Sequence, residues 1–247
     1  MVRQHVGQRR TRAVGMTDQA QLTALLRPIR HVMLDFDGPV CHVFAGRPAA
    51  GVADRLRALI AADQDVPDEL AEETDPLSFY RYTPKLPPDL AARVARRLRA
   101  EEVEAATTAE LTPGVVDVIR ACRRTGRVMT VVSNNTPEAV ETFLAKHDLS
   151  KYIDYVSGRS TADPALMKPS PYLLQRAADA VEARLATSIL VGDSDTDIQA
   201  ARAARVTAVG YANKPGKTAR FVALRADAIV TDMRVLARAL DASVALS

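Results

Sequence analysis

A chain of 247 residues is long enough for one large domain, and with 47% apolar residues it can bury a complete core. This composition excludes a disordered chain, and no run in the sequence approaches the roughly 20 apolar residues that a membrane-spanning helix needs. The formal net charge of +3 does not indicate nucleic-acid binding, because the excess lies in an N-terminal segment without acidic residues, at Arg3, Arg9, Arg10 and Arg12.

Residues 1–17 are therefore expected to form a basic, disordered tail, since they offer no apolar surface to pack. Met16 is an alternative start of translation, because Thr17 and Asp18 open a better helix than any residue before them. The two cysteines, Cys41 and Cys122, lie far apart, and no apolar signal core is visible near the N-terminus. We therefore expect free thiols and a cytoplasmic location.

The first predicted elements are a short helix that begins at Asp18 and an apolar run at residues 32–34. The run is too short for a helix, which favours a buried strand of a parallel sheet. Asp35 and Asp37 follow at its carboxyl end, before the chain turns at Gly38. Alternate residues of an extended segment point the same way, so both carboxylates face one small volume and need a cation or a shared proton.

Residues 44–110 are predicted to form a helical insertion without an obvious strand. Two apolar stripes at helical spacing support this, one at Val52, Leu56, Leu59 and Ile60 and one at Leu90, Val94 and Leu98. The main domain then consists of residues 18–43 and 111–247. Apolar runs predict five further strands in it, at residues 128–132, 152–156, 188–191, 206–210 and 228–230. Strands that alternate with helices are typical of an α/β fold with a doubly wound parallel sheet.

Polar residues follow these strands in a fixed order. Asp35-x-Asp37-Gly38 comes first, then Ser133 with Asn134, then Lys168-Pro169, and last Gly192-Asp193-Ser194-x-x-Asp197. Taken singly, each group has a structural explanation: an aspartate can cap a turn, Ser133-Asn134 can start a helix, and Lys168 can be a solvated loop lysine. The four groups together resemble, in order, the four motifs of the haloacid dehalogenase (HAD) superfamily.

The resemblance implies a Rossmann-like core with a small helical cap inserted between the first two motifs. It also implies a magnesium-dependent phosphomonoester hydrolase similar to phosphoglycolate phosphatases, acting on a small phosphorylated metabolite through an aspartyl-phosphate. Asp35 would be the nucleophile and Asp37 the general acid and base. Mg²⁺ would be held by hard oxygen ligands of Asp35, Asp37 (through its backbone carbonyl) and Asp193. The phosphoryl oxygens would be bound by Ser133, Asn134 and Lys168, and Asp197 would orient Lys168 or the waters of the metal.

Departures from the family pattern leave the subfamily open. Pro39 replaces the usual Thr or Val, His42 stands where many phosphatases carry Asp, and Arg205 stands where Gly often ends a helix. A phosphoglucomutase-like phosphotransferase and a non-catalytic HAD-fold binding protein therefore remain alternatives, whereas Asp37 argues against a dehalogenase. Segment 213–218 resembles a phosphate loop, but such a loop requires Gly at position 211, which is Tyr in this chain. A kinase is therefore disfavoured.

We expect the insertion to select the substrate and exclude water, as a mobile cap. Candidate substrate contacts in it are Arg47, Tyr80, Arg81 and Tyr82. The acidic sheet edge would repel a polyanion, so we expect no nucleic-acid partner and no membrane partner, and the protein is expected to be a monomer or a homodimer.

Overall fold

The computed structural model describes residues 17–244. The predicted disorder of the basic tail and the alternative start at Met16 therefore concern residues that lie outside the described part. Thr17 was assigned to that tail, and this assignment is wrong. Its N–H donates to the carbonyl of Ile229, and its hydroxyl accepts the N–H of the same residue. These two bonds tie the start of the described chain to an edge of the sheet.

Six parallel strands form one sheet in the order β3-β2-β1-β4-β5-β6. Their bounds are β1 His31–Leu34, β2 Val128–Val132, β3 Tyr155–Ser157, β4 Ser188–Gly192, β5 Thr207–Tyr211 and β6 Ala228–Val230. The predicted doubly wound parallel sheet is confirmed. Strand β1 lies in the middle, where the strand order reverses, and ligands of such sheets bind at the carboxyl ends of the strands at this switch point. Asp35 stands directly at that point.

Two strands begin later than predicted because of hydrogen bonds at their starts. β3 begins three residues later than expected, because the Asp154 side chain and backbone both bond to Met129, so strand pairing starts only at Tyr155. β5 begins one residue later because the Val206 N–H closes the preceding helix on the carbonyl of Ala201. Arg205, which replaces the expected glycine, has a φ of +57° at this helix end.

Eleven helices are present in residues 17–244. They are α1 Gln19–Leu26, α2 Ala49–Ala61, α3 Asp68–Ala71, α4 Pro76–Tyr82, α5 Pro88–Thr108, α6 Val115–Arg124, α7 Pro137–Lys146, α8 Tyr172–Ala180, α9 Asp195–Ala203, α10 Lys217–Ala223 and α11 Met233–Ala242. Helices α1, α6, α7 and α11 cover one face of the sheet, and α8, α9 and α10 cover the other. None of these helices combines the length and apolar character needed to cross a membrane.

The helices predicted in residues 44–110 are confirmed, and they bury their apolar stripes against one another. Val52, Leu56 and Ile60 of α2 pack in one cluster with Leu90 and Val94 of α5. The last turns of α5 leave this cluster, since Ala105, Ala106 and the following Ala109 pack in the core of the sheet. One helix therefore takes part in two separate cores.

Candidate active site

The Asp35 side chain is held in place at the end of β1. Its backbone N–H continues the pairing with β4 by donating to Val191, and its Oδ1 accepts the Phe36 N–H at 2.8 Å and the Lys168 ammonium at 2.7 Å. Burial, followed by the charge of Asp197, raises the pKa of Asp35 well above its ordinary value despite Lys168. A bound cation would act in the same direction as Lys168 and favour the ionised carboxylate of Asp35.

Lys168 is buried and all three hydrogens of its ammonium have an acceptor. Besides Asp35, they reach Asp197 Oδ1 at 2.6 Å and the Val132 carbonyl at 3.1 Å. Burial alone would lower the pKa of Lys168, but the charges of Asp197 and Asp35 outweigh it and raise the pKa. The side chain of Asn134 fixes the backbone of Lys168 from both sides, accepting its N–H at 2.8 Å and donating to its carbonyl at 3.2 Å. Lys168 is thus a fixed cation.

Asp197 is fully buried, and both its oxygens have partners. Oδ1 accepts from Lys168, and Oδ2 accepts from the backbone N–H and hydroxyl of Ser194 in a capping box at the start of α9. The structure therefore places Asp197 where it holds Lys168. This is one of the two tasks that the sequence suggested for it.

An acidic cluster lies at the same edge of the sheet. Carboxylate oxygens of Asp35, Asp193 and Asp197 lie within 4.8 Å of one another. Hard oxygen donors of this kind suit a divalent cation such as Mg²⁺. Gly38 makes room for the cluster, since a Cβ on it would lie 2.3 Å from Cγ of Asp193. Because both oxygens of Asp197 have protein partners, Asp35 and Asp193 are the side chains better able to bind an ion.

Asp37 lies in the same cleft but outside this cluster. One oxygen accepts the Val43 N–H at 3.1 Å, and desolvation raises the pKa of the carboxyl. Asp193 is held from the other side, where its Oδ2 accepts hydrogen bonds from Lys217 and, at 3.1 Å, from Asn213. The loop that resembled a phosphate loop in sequence therefore contacts a carboxylate of the acidic cluster.

The turn after β2 supplies hydrogen-bond donors to the cleft. The Ser133 hydroxyl accepts the Asn135 N–H at 3.0 Å, and the Asn134 N–H makes no hydrogen bond within residues 17–244. Asn135 also lines the cleft, and its buried Nδ2 has no partner in the same range. The sequence predicts that Asn134 binds phosphate. Its side chain is occupied by Lys168, so only its backbone is available for this role.

A cleft of about 680 Å³ brings these groups together. Its walls come from the carboxyl edge of the sheet and from the helical insertion, including Phe44, Pro76 and Arg81. Of the four substrate contacts that we predicted, only Arg81 lines the cleft, where it pairs with Asp75. The other three have different surroundings: Arg47 pairs with Glu101 and Glu104, Tyr80 donates to the Thr161 carbonyl, and Tyr82 lies beneath the Lys85 ammonium.

The lining residues that the sequence does not single out include Arg220 and Asn135. Arg220 lines the cleft and pairs with Asp195 at 2.6 Å. Asn135 lines the cleft directly after Asn134 in the chain. Cys41 and Cys122 are both free and buried, as expected. Burial raises the pKa of the Cys41 thiol, which makes it a poor nucleophile.

The fold and this edge define an α/β protein with a polar site, suited to a metal ion, at the switch point of a parallel sheet. A family model described as haloacid dehalogenase-like hydrolase matches residues 67–211, more than half of the chain. The chain therefore belongs to the haloacid dehalogenase-like hydrolase family, and the predicted resemblance is confirmed. The matched residues begin after Asp35 and Asp37, so the family model does not cover these two residues. Their positions in the cleft come from the structure alone.

Among curated relatives, a phosphoglycolate phosphatase of Cupriavidus necator is 38% identical over 129 residues, which is 50% of this chain and 53% of the relative. Phosphoglycolate phosphatase 1 of Pseudomonas aeruginosa is 30% identical over 125 residues, covering 50% and 44%. The chain thus spans about half the length of these curated relatives.

Solved structures match over most of the chain. CbbY from Rhodobacter sphaeroides, in complex with xylulose-(1,5)bisphosphate, has a TM-score of 0.62 at 18% identity and covers 83% of this chain and 95% of its own. A haloacid dehalogenase-like family protein from Streptococcus pneumoniae has a TM-score of 0.61 at 13% identity, covering 83% and 95%. At sequence identities of 18% and 13%, these structures show that the fold is similar and nothing more.

Proposed function

We propose that this protein is a magnesium-dependent phosphatase that hydrolyses a small phosphorylated metabolite through an aspartyl-phosphate on Asp35. One observation carries the proposal: the buried Lys168 ammonium donates to Asp35 at 2.7 Å and to Asp197 at 2.6 Å, beside the Asp193 carboxylate. A fixed cation and hard oxygen donors around one carboxylate suit the transfer of a phosphoryl group. The phosphoglycolate phosphatases among the relatives support the same activity.

Asp35 acts as the nucleophile in the first step. Its carboxylate oxygen attacks phosphorus, a bond forms between Asp35 and phosphorus, and the bond from phosphorus to the ester oxygen breaks. Asp37 gives its proton to the departing alkoxide. The raised pKa of Asp37 supports this role, because a carboxyl must be protonated at the start of this step.

Asp37 reverses its role in the second step. It takes a proton from a water molecule that attacks phosphorus, and the bond between phosphorus and Asp35 breaks to release inorganic phosphate. The Ser133 hydroxyl and the Asn134 N–H donate to the phosphoryl oxygens, and Lys168, whose three N–H groups already have protein acceptors, offsets their negative charge. When bound, Mg²⁺ would neutralise charge on the phosphoryl group, and it would be held by Asp35, Asp193 and the backbone carbonyl of Asp37.

Residues 44–110 are proposed to act as a cap that selects the substrate. Phe44, Pro76 and Arg81 of this segment line the cleft opposite the acidic cluster, which supports contact with the part of the substrate that is not transferred. The two free thiols are compatible with a reducing cytoplasm, which stays a prediction together with the monomeric or dimeric state.

The test is a panel of phosphorylated metabolites assayed with and without Mg²⁺, using the wild type, Asp35→Asn and Asp18→Asn. Wild type is expected to release phosphate from some members of the panel only when Mg²⁺ is present. Asp35→Asn should fold but show no turnover, since an amide is not a competent nucleophile. Asp18→Asn is the matched control, because Asn keeps an acceptor at the N-cap of α1 outside the cleft. Turnover by Asp35→Asn at the wild-type rate would refute the nucleophile, and tight binding of phosphate esters without turnover would favour a binding protein.

A further inference from the structure

A buried ion pair joins the helical insertion to the sheet beside the cleft. Both guanidinium NH groups of Arg159, in the loop after β3, donate to the two oxygens of Glu102 of α5 at 3.0 Å. The two side chains are 4% and 0% exposed. The Tyr80 ring of α4 lies against the guanidinium, 4.2 Å from its central carbon. We call Glu102, Arg159 and Tyr80 the joint.

The joint holds the backbone of the turn after β2. Glu102 Oε2 accepts the Thr136 N–H at 3.0 Å, and Arg159 donates from its guanidinium to the Asn134 carbonyl at 3.2 Å. The Arg159 N–H donates to the Asn135 carbonyl at 2.8 Å. Three consecutive residues of the turn are therefore hydrogen-bonded to one ion pair.

These bonds bear directly on the Ser133 hydroxyl. The peptide between Asn134 and Asn135 is fixed at both ends, because its carbonyl accepts from Arg159 and its N–H donates to Ser133 Oγ. A rotation of this peptide would break both bonds and displace Asn135, whose Oδ1 accepts the Ser133 hydroxyl at 3.2 Å, so the hydroxyl would lose the two partners that orient it. The orientation of Ser133 thus depends on Arg159, and that of Arg159 depends on Glu102.

Burying the charges of Glu102 and Arg159 costs free energy unless each charge keeps its hydrogen-bond partners. Burial raises the pKa of Glu102, and the charge of Arg159 acts against this rise. Removing one partner of a buried ion pair leaves an uncompensated charge. Loss of Glu102 would therefore release Arg159 from its present position and with it the turn.

We propose that Glu102 and Arg159 are positioning residues that set the phosphoryl-binding turn at Ser133 according to the position of the helical insertion. Glu102 and Tyr80 belong to the insertion, whereas Arg159 and the turn belong to the sheet domain. The joint thereby links the segment proposed to select the substrate to the groups proposed to hold phosphate. The effect of the joint on phosphate binding rests on the proposed function. The coupling of the insertion to the turn does not.

The experiment compares Glu102→Gln with Glu101→Gln. Glu101 is the preceding residue of α5, is 2% exposed, and pairs with Arg47, Arg55 and Arg97 outside the cleft. Both substitutions remove one buried carboxylate from one helix, but only Glu102 reaches the turn. The measurements are hydrogen exchange of residues 133–136, the inhibition constant of inorganic phosphate, and the KM and kcat of the best substrate.

We expect Glu102→Gln to speed exchange of the turn and to raise the inhibition constant of phosphate on the order of tenfold to a hundredfold, the usual cost of misplaced binding groups. Glu101→Gln should leave both measurements near the wild-type values. Equal results for the two variants would overturn the proposal. If the wild type neither hydrolyses a phosphate ester nor binds phosphate, the proposed function fails. The hydrogen-exchange comparison then still tests whether Glu102 fixes the turn.

A second variant covers the case in which Glu102→Gln does not fold. The double substitution Glu102→Leu with Arg159→Leu removes both charges together, which leaves no uncompensated charge in the interior. It also removes the side-chain bonds to Thr136 and Asn134, so its turn should exchange faster than in Glu101→Gln. A double variant with wild-type exchange and phosphate binding would show that the pair only stabilises the fold.

Discussion

Protonation of His31 is expected to weaken the fold in mild acid. His31 opens β1 and is completely buried, with Nδ1 at 3.1 Å from the Ser188 hydroxyl and Nε2 at 2.9 Å from the Thr130 hydroxyl. Burial lowers its pKa to about 4, against 6.5 for an unperturbed imidazole. The folded protein therefore holds a neutral imidazole at pH values where the unfolded chain carries a charged one.

The sign and size of the effect follow from this difference. Above pH 6.5 neither state binds the proton, so the contribution of His31 to stability is fully present there. As the pH falls from 6.5 to about 4, only the unfolded chain takes up the proton, and stability is lost. At about 1.4 kcal/mol per pKa unit the complete loss is about 3 kcal/mol, of which about 2 kcal/mol is lost by pH 5.

Urea unfolding at about pH 7.5 and about pH 5 measures this loss, with His31→Gln as the non-titrating reference. Wild type should lose about 2 kcal/mol more free energy of unfolding than His31→Gln between these two pH values. His42→Gln is the matched control, because it makes the same substitution at an exposed histidine. Parallel pH dependence of wild type and His31→Gln would refute the reasoning.

Two further predictions concern the proposed mechanism. Asp37→Asn should slow the hydrolysis of alkyl phosphates by about a hundredfold or more, but that of nitrophenyl phosphate much less, since nitrophenolate leaves without a proton. Steady-state rates on both ester classes check this, and an equal loss would make Asp37 a structural residue. Gly38→Ala should weaken Mg²⁺ binding in a calorimetric titration, because a Cβ there lies 2.3 Å from Cγ of Asp193 at a φ of +99°. Gly126→Ala, with a φ of +65° and open space around its Cβ, should bind Mg²⁺ as wild type does, and the same affinity in both variants would contradict the argument.

The sequence was sufficient for features that depend on neighbours along the chain. Apolar runs identified all six strands, and Asp18 marked a helix start that the structure contains. The polar groups of the cleft were also found, since each comes directly after a strand or, like Lys168, shortly before a helix, and the pattern shows both. Boundaries set by hydrogen bonds that the apolar pattern does not record were misplaced, as at Asp154, whose carboxylate reaches Met129.

Contacts between distant residues could not be predicted in this way. Nothing near Asn134 in the sequence indicates that its side chain is taken up by the backbone of Lys168, 34 residues away. Glu102 and Arg159 are 57 residues apart, and each is unremarkable in its own segment. Their pairing depends on how α5 packs against the loop after β3, which no local pattern records.

The sharing of α5 between two cores limits how this protein can be recombined with its relatives. A chimera that exchanges residues 44–110 as one block would also replace Ala105, Ala106 and Ala109, whose small side chains are fitted to the core of the sheet. Larger residues there would force α5 away from its site, since overpacking a filled core costs about 1–3 kcal/mol. The crossover point for grafting another specificity onto this scaffold therefore lies inside α5, between Glu102 and Ala105, so that Ala105, Ala106 and Ala109 stay with the sheet.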